Sequence, residues 1–300
     1  MTPRATEVVL RDRTLDLTRP ALMGVVNANP DSFSDPDADT SLARQMDHVG
    51  RLVDDGATVI DVGGQSGITN VPEVDAALER DRVVPLVGAI AREHPDIVIS
   101  VDSYKPLVVA ASLDAGAQLV NDVSGLRYPE TARLAAKAGA GLVVMHTRAA
   151  PKQRLQDPDR YADVVADVTG FLDEKVAEAI DLGVGEASIV VDPGPDFAKT
   201  PAQTVDVLRA LPTVNPDGRP MLLAISRKDF VGAITRTPPK ERLAGTLAAV
   251  AAVGSGPGLI LRVHDVGEVR RFLEVLDVLE GRTDVPRALA LTDDIRHARD

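Results

Sequence analysis

Cysteine is absent from the 300 residues, which excludes a disulfide framework, a thiolate nucleophile and a thiolate-held metal. An excess of positive charge is absent too. Lys and Arg number 33 against 45 Asp and Glu, a formal net charge of -12, whereas nucleic acid rewards the opposite balance. No apolar run is long enough to cross a bilayer cleanly; the longest, Leu243 to Leu261, is broken by Gly254-Ser-Gly-Pro-Gly258. The first residues carry Arg4, Glu7, Arg11, Asp12 and Arg13 without the apolar core of a secretory signal. The expectation is a cytoplasmic protein with neither nucleic-acid nor membrane partners. Three motifs are also missing. Without GxGxxG after the first strand a dinucleotide fold loses its main support, and without GxSxG or HExxH so do the hydrolases those motifs mark.

What is present is an apolar share of 44%, ample for a large core. Eight short runs rich in Val, Ile and Leu can be marked: Leu22–Asn27, Thr58–Asp61, Ile97–Asp102, Gln118–Asp122, Gly141–His146, Ile189–Asp192, Met221–Ser226 and Leu259–Arg262. Between them lie stretches of helical character such as Leu42–Asp55, Tyr161–Leu182 and Arg242–Val253. Near-continuous apolar strands alternating with amphipathic helices predict a parallel sheet covered on both faces. A doubly wound open sheet and a closed barrel both fit that alternation, and the count of eight favours an α/β fold of the single (β/α)8 TIM-barrel type. No stretch reads as a linker, so residues 1–300 are expected to form one domain. Residues 1–20 are expected as an N-terminal extension, a small lid or hairpin under the barrel, and residues 281–300 as a peripheral tail.

In such a barrel the strand ends converge on one mouth. They bring Asn27, Asp61, Asp102, Asn121, His146, Asp192, Ser226 with Lys228, and Arg262 with His264. Asp102, Asn121 and Asp192 offer acceptors and an amide to a flat, nitrogen-rich heterocycle. Lys228 is placed to cover such a ring or meet its carbonyl. Arg262 and His264 follow the last strand, where barrels commonly bind phosphate. Asn27 supplies a hard oxygen suited to Mg²⁺ that also holds phosphate oxygens and waters. The inferred ligand is a polar heterocycle joined to a phosphate or diphosphate. His146 ends an apolar strand and reads as a structural histidine rather than a catalytic one.

Taken in order, these segments resemble the dihydropteroate synthase family: Asn27-Ala-Asn-Pro-Asp-Ser-Phe-Ser-Asp35, Asp61-Val-Gly-Gly64, Asp102-Ser-Tyr-Lys105, Asn121-Asp-Val-Ser-Gly125, Met145-His146, Asp192-Pro-Gly194, Ser226-Arg-Lys228 and Arg262-Val-His-Asp265. The resemblance runs from about residue 20 to 280. It implies an Mg²⁺-dependent transferase that joins 7,8-dihydropterin-6-ylmethyl diphosphate to p-aminobenzoate and acts as a homodimer. It implies a pterin pocket of Asp102, Asn121, Asp192 and Lys228, with Met145 and Phe197 near the ring. It further implies metal on Asn27 and diphosphate on Asn27, Arg262 and His264. Phe33, Ser34 and Asp35 would close over the site, Asp35 near the developing cation, and Ser226 would lie near the p-aminobenzoate carboxylate.

Two segments depart from the family pattern. Gly63-Gly-Gln-Ser-Gly-Ile68-Thr69 stands where the family has Gly-Gly-Glu-Ser-Thr-Arg-Pro, and Ile68 cannot replace the charge or the donors of an arginine. Asp192-Pro-Gly-Pro-Asp196-Phe-Ala-Lys199 replaces a more glycine-rich version, and Asp196 is expected to add negative charge near the mouth. Two readings follow: an active synthase with a variant second loop, or a pterin-binding paralogue that does not make dihydropteroate or that uses another acceptor amine.

Overall fold

Alternation between short apolar runs and amphipathic stretches becomes alternation between strands and helices in the computed structural model, which describes residues 3–28, 42–65 and 69–296. The chain opens with an antiparallel hairpin, β1 (Glu7–Leu10) and β2 (Arg13–Asp16). Then follow β3 (Ala21–Asn27), α1 (Leu42–Asp54), β4 (Val59–Gly63), α2 (Ala76–Glu93), β5 (Val98–Asp102), α3 (Pro106–Ala115), β6 (Leu119–Asp122) and α4 (Pro129–Ala138). The second half runs through β7 (Gly141–Met145), α5 (Val164–Asp181), β8 (Ile189–Asp192), α6 (Pro201–Arg209), α7 (Leu211–Val214) and β9 (Met221–Leu223). It ends with α8 (Asp229–Thr235), α9 (Leu243–Val253), β10 (Leu259–Val263), α10 (Val266–Leu279) and α11 (Asp293–Arg296).

Strands β3 to β10 pair in parallel, each with the next in sequence, and β10 returns to β3 to close the barrel. Every residue of β4, β6, β7 and β8 is buried, as expected where helices cover one face and the barrel interior fills the other. An outer core lies between strands and helices. An inner core gathers Met23, Val59, Val98, Leu119, Val143, Val190, Leu222 and Ile260 from the barrel strands with Val8, Leu10, Leu15 and Leu17. The hairpin therefore stoppers the N-terminal end of the barrel. Residues 281–292 are all exposed.

Local chemistry sets the helix ends. Asp75 caps α2 by accepting from the amides of Ala77 and Leu78, and Thr200 and Gln203 form a reciprocal capping box before α6. Gly116 and Gly139 end α3 and α4 with positive φ, a conformation without Cβ strain only for glycine. The largest difference from the sequence expectation is at β9. Its ladder stops at Leu223, three residues before Ser226, because the chain must turn sharply to a left-handed Arg227 at φ 57°.

Candidate active site

One cavity of about 640 Å³ opens at the C-terminal ends of the barrel strands. Asn27, Asp102, Asn121, Met145, Asp192, Phe197, Ser226, Lys228, Arg262 and His264 all line it. The structure thus brings together every sequence-predicted site residue that it describes. Phe33, Ser34 and Asp35, and the loop residues Gly67 and Ile68, lie outside the described residues.

The floor is polar and closely connected. Arg262 donates from Nε to Asp61 Oδ2 at 2.6 Å and from Nη2 to Asp102 Oδ2 at 2.8 Å. Asn121 donates from Nδ2 to the same Asp61 oxygen at 3.1 Å, and Ser100 Oγ donates to the other at 2.6 Å. These bonds fix the Asn121 amide with its Oδ1 buried and without a partner among the described residues. An orphaned buried acceptor costs free energy unless a ligand or water meets it. The guanidinium of Arg262, assigned by resemblance to diphosphate, here lies between the Asp61 and Asp102 carboxylates.

Asp192 stands nearby, only 2% exposed, with Oδ1 accepting from the Gly194 amide at 2.7 Å. Burial pushes its carboxyl up to about 6. Burial also raises Asp102, to about 7; Arg262 opposes the rise, and the Asp61 and Glu79 carboxylates add to it. Two acids poised near neutrality beside an orphaned amide oxygen can accept from ring N–H groups or, protonated, donate to ring nitrogen.

Cationic groups line the same cavity. Lys228 Nζ lies 4.6 Å from the Phe197 ring centroid. Its ammonium is lowered by burial, against which Asp196 and Asp192 act. His264 differs from the expected cation. Burial first, then Arg227 and Arg262, pull its ring down to about 4, so it is a neutral hydrogen-bonding group at pH 7. Its backbone amide donates to Ser226 Oγ at 3.2 Å, and its Nδ1 lies 3.0 Å from the same hydroxyl. The turn between Ser226 and Lys228 is held by Arg227, which forks onto Asp265, and by Arg242 Nη1, which donates to the carbonyls of Arg227 and Lys228 at 2.9 and 3.1 Å.

Asp196 lines the cavity, as expected, and its charge acts on Lys228. Its carboxylate does not stand bare at the mouth: Oδ2 accepts from the Asp229 amide at 2.6 Å and Oδ1 accepts from Thr204 Oγ1 at 3.1 Å. His146 is fully buried between Lys199 Nζ, 2.7 Å from its Nδ1, and Asp167, 2.9 Å from its Nε2, which is the structural role read from the sequence.

Two supporting groups were not anticipated. Lys199 is completely buried and donates to the carbonyls of Gly194 and Phe197 at 2.9 and 3.1 Å, pinning the segment that carries Phe197. Glu79 is also completely buried, meeting Lys105 Nζ at 2.6 Å and Ser103 Oγ at 2.7 Å beneath the β5 end. Its signal was available: it stands on the same helical stripe as Val83, Leu86 and Ile90 of α2, and a carboxylate on an apolar stripe demands a buried partner.

The closed parallel barrel and the acids, amide and cations gathered in its mouth are those of a pterin-binding enzyme, and residues 23–264 match the family described in those words. Dihydropteroate synthase of Streptococcus pyogenes serotype M1 is 41% identical over 263 residues, 86% of this chain and 95% of that one. Among solved structures, Xanthomonas albilineans dihydropteroate synthase with 4-aminobenzoic acid superposes with a TM-score of 0.84 at 35% identity, covering 94% of this chain and 100% of that one. The same organism's enzyme in complex with 7,8-dihydropteroate gives 0.81 at 35% identity, over 93% and 100%. The chain belongs to the dihydropteroate synthase family.

Proposed function

We infer that this protein condenses 7,8-dihydropterin-6-ylmethyl diphosphate with p-aminobenzoate to give 7,8-dihydropteroate and pyrophosphate. The observation that carries the reading is the convergence of Asp192, Asp102 and the orphaned Asn121 Oδ1 on a cavity that Lys228 also lines. Those acceptors match a ring rich in N–H donors, and Lys228 matches its carbonyl oxygen.

The chemistry requires little proton transfer before the bond changes. An aromatic amine is unprotonated at neutral pH, so its nitrogen attacks the exocyclic methylene directly. The C–N bond forms, the C–O bond to diphosphate breaks with its electron pair leaving on oxygen, and the amine proton departs to solvent. Positive charge develops on the pterin methylene and negative charge on the diphosphate. Arg262 lies at the pterin end, where its ion pairs with Asp61 and Asp102 hold those carboxylates in place. His264, neutral and tied to Ser226, donates or accepts a hydrogen bond at the diphosphate and acceptor end.

In this reading Asn27 would hold Mg²⁺ together with the substrate's diphosphate. The described residues contain no group of three His, Asp or Glu able to cage a metal, and Asn27 offers one carboxamide oxygen at the pocket edge. A single hard ligand suits Mg²⁺, which keeps several waters and takes its remaining oxygens from substrate phosphate. When bound, the ion neutralises the departing diphosphate. A homodimer in the cytoplasm completes the reading; it is compatible with the absence, among the described residues, of any helix long and apolar enough to cross a membrane.

The test is product formation from the two substrates by purified protein, with pyrophosphate and dihydropteroate expected in equal amounts. Tight dihydropterin-diphosphate binding by calorimetry without dihydropteroate would move the assignment to another acceptor amine. Absence of pterin binding would sink it altogether.

A further inference from the structure

Helix α8 starts with a conflict between local structure and function. Its N-cap residue is Lys228, which makes no side-chain bond to the first helical amides. Lysine has no acceptor to offer them. Ser, Asp or Asn at that position would cap the helix but would remove the ammonium from the pocket. The missing acceptor arrives from another loop. Asp196 Oδ2 accepts from the backbone amides of Asp229 at 2.6 Å and Phe230 at 3.3 Å. Its other oxygen accepts from Thr204 Oγ1 on α6, and that hydroxyl accepts in turn from the Asp196 amide at 3.1 Å. Asp196 is thus anchored at one end and caps α8 at the other.

We propose that Asp196 is a positioning residue of the active site: by capping α8 from across the mouth it fixes the Lys228 turn against the segment that carries Phe197. The inference rests on the assignment of Lys228 to the pterin pocket. Three further observations support it. Asp196 adopts φ 67°, a left-handed conformation that strains most residues and that glycine would take freely. Glycine could not provide the carboxylate, so the strain accompanies an acceptor placed where α8 needs one. Phe197 is the next residue, and Lys228 Nζ lies over its ring at 4.6 Å. One carboxylate therefore sets the distance between the cation and its aromatic platform.

Finally, Asp196 acts on Lys228 by charge. The charged and titratable groups facing that ammonium are Asp192 on β8, Asp196 and Lys199 on the following segment, Asp229 on α8, and Arg262 and His264 on and just beyond β10. Burial lowers the ammonium most, and Asp196 provides the largest opposing attraction.

Two variants separate the components. Asp196→Gly keeps the backbone conformation and loses the acceptor; Asp196→Asn keeps an acceptor oxygen, tolerates the left-handed conformation and loses the charge. In ligand-free full-length protein, amide hydrogen exchange over residues 226–232 is expected to accelerate by about tenfold in Asp196→Gly and less in Asp196→Asn. Competitive acylation followed by mass spectrometry is expected to titrate Lys228 at lower pH in both variants than in wild type. Calorimetry with dihydropterin diphosphate is expected to show affinity weakened by roughly fivefold or more in Asp196→Gly, with Asp196→Asn recovering part of it.

Unchanged exchange in Asp196→Gly would overturn the capping role. Faster exchange with an unmoved Lys228 titration would overturn the positioning role, leaving a cap that serves stability alone. Wild-type protein that binds no pterin diphosphate would refute the functional reading, while exchange and acylation, which need no ligand, would still decide the part played by Asp196.

Discussion

A buried carboxylate is a burden on the empty protein, and Asp192 is the clearest case. Its carboxyl titrates at about 6 in the folded chain against an ordinary value of 3.8, raised by burial and only partly offset by the Gly194 amide and by Lys228. The folded state holds the proton more tightly than the unfolded state, so the group's favourable contribution is fully present below pH 4. That contribution is lost as pH rises through 6. Asp192→Asn keeps the acceptor for the Gly194 amide and cannot ionise. Its stability relative to wild type should therefore climb between pH 4 and 6 and level off above, by on the order of 3 kcal/mol. Thermal unfolding of both proteins across pH 4–8 measures this, and a difference that stays flat would show that Asp192 is not desolvated. The same variant should bind dihydropterin diphosphate at least about tenfold more weakly, since a charged partner in a buried hydrogen bond accounts for roughly 1.5–3 kcal/mol. Residues of this kind were legible, because polar side chains closing apolar strands converge in a barrel. Lys199 and the Asp61–Arg262 pair were legible only as members of motifs, since the side chains they meet, His146 for Lys199 and each other for the pair, are 53 and 201 residues away.

The elements that carry these residues were largely readable, because each strand is a short apolar run and each helix brings its own caps. What escaped were turns whose shape depends on distant side chains. β9 ends early because Arg227 is held in a left-handed conformation by Asp265 and by Thr246, whose hydroxyl accepts from its amide at 3.0 Å. The segment after β8 has a similar constraint at Gly194, with φ 65° and a Cβ position only 2.1 Å from the His146 carbonyl oxygen. Gly194→Ala is expected to destabilise the protein by about 2 kcal/mol or more and to weaken pterin binding, since it displaces both Asp192's amide donor and the Phe197 segment. Denaturant midpoints and calorimetry read the two effects; wild-type values for both would mean the backbone shifts freely there. The loop after β4 is a matter of sequence. Ile68 stands where the family pattern has Arg, so the rebuilt loop Gly67→Thr, Ile68→Arg, Thr69→Pro should raise turnover by about tenfold, roughly 1.4 kcal/mol of barrier. Its effect on dihydropterin-diphosphate affinity should be smaller, because such a cation acts mainly as charge moves in the transition state. A wild-type rate that the rebuilt loop leaves unchanged would place the needed charge elsewhere.

At the scale of the whole molecule, the barrel separates what holds it together from what it does. The hairpin β1–β2 closes the N-terminal end, and its inward residues continue the barrel's inner core: Val8, Leu10 and Leu17 are at most 1% exposed and Leu15 is 6% exposed. The site occupies the opposite end, where the strands finish in polar residues that would be costly anywhere in that core. The sequence foreshadowed a hairpin under the barrel but not its part in the core, because Val8, Leu10 and Leu15 in two short strands and Leu17 just beyond them look like any edge hairpin until something covers them. Truncating one of them removes buried methyl groups and leaves a cavity, whose usual cost for Leu→Ala is roughly 2–5 kcal/mol. Leu17→Ala should therefore lower the unfolding midpoint strongly while leaving dihydropterin-diphosphate affinity within about twofold of wild type, because distant sites with no shared partners act independently. Asp192→Asn should do the reverse near pH 7. Combining the two changes gives a sharper test than either alone: their effects on stability should add within about 0.5 kcal/mol, and the double variant should bind no worse than Asp192→Asn. A double variant that is far less stable than this sum, or a Leu17→Ala protein that loses pterin affinity while still folded, would show that the stopper and the mouth are coupled through the barrel interior.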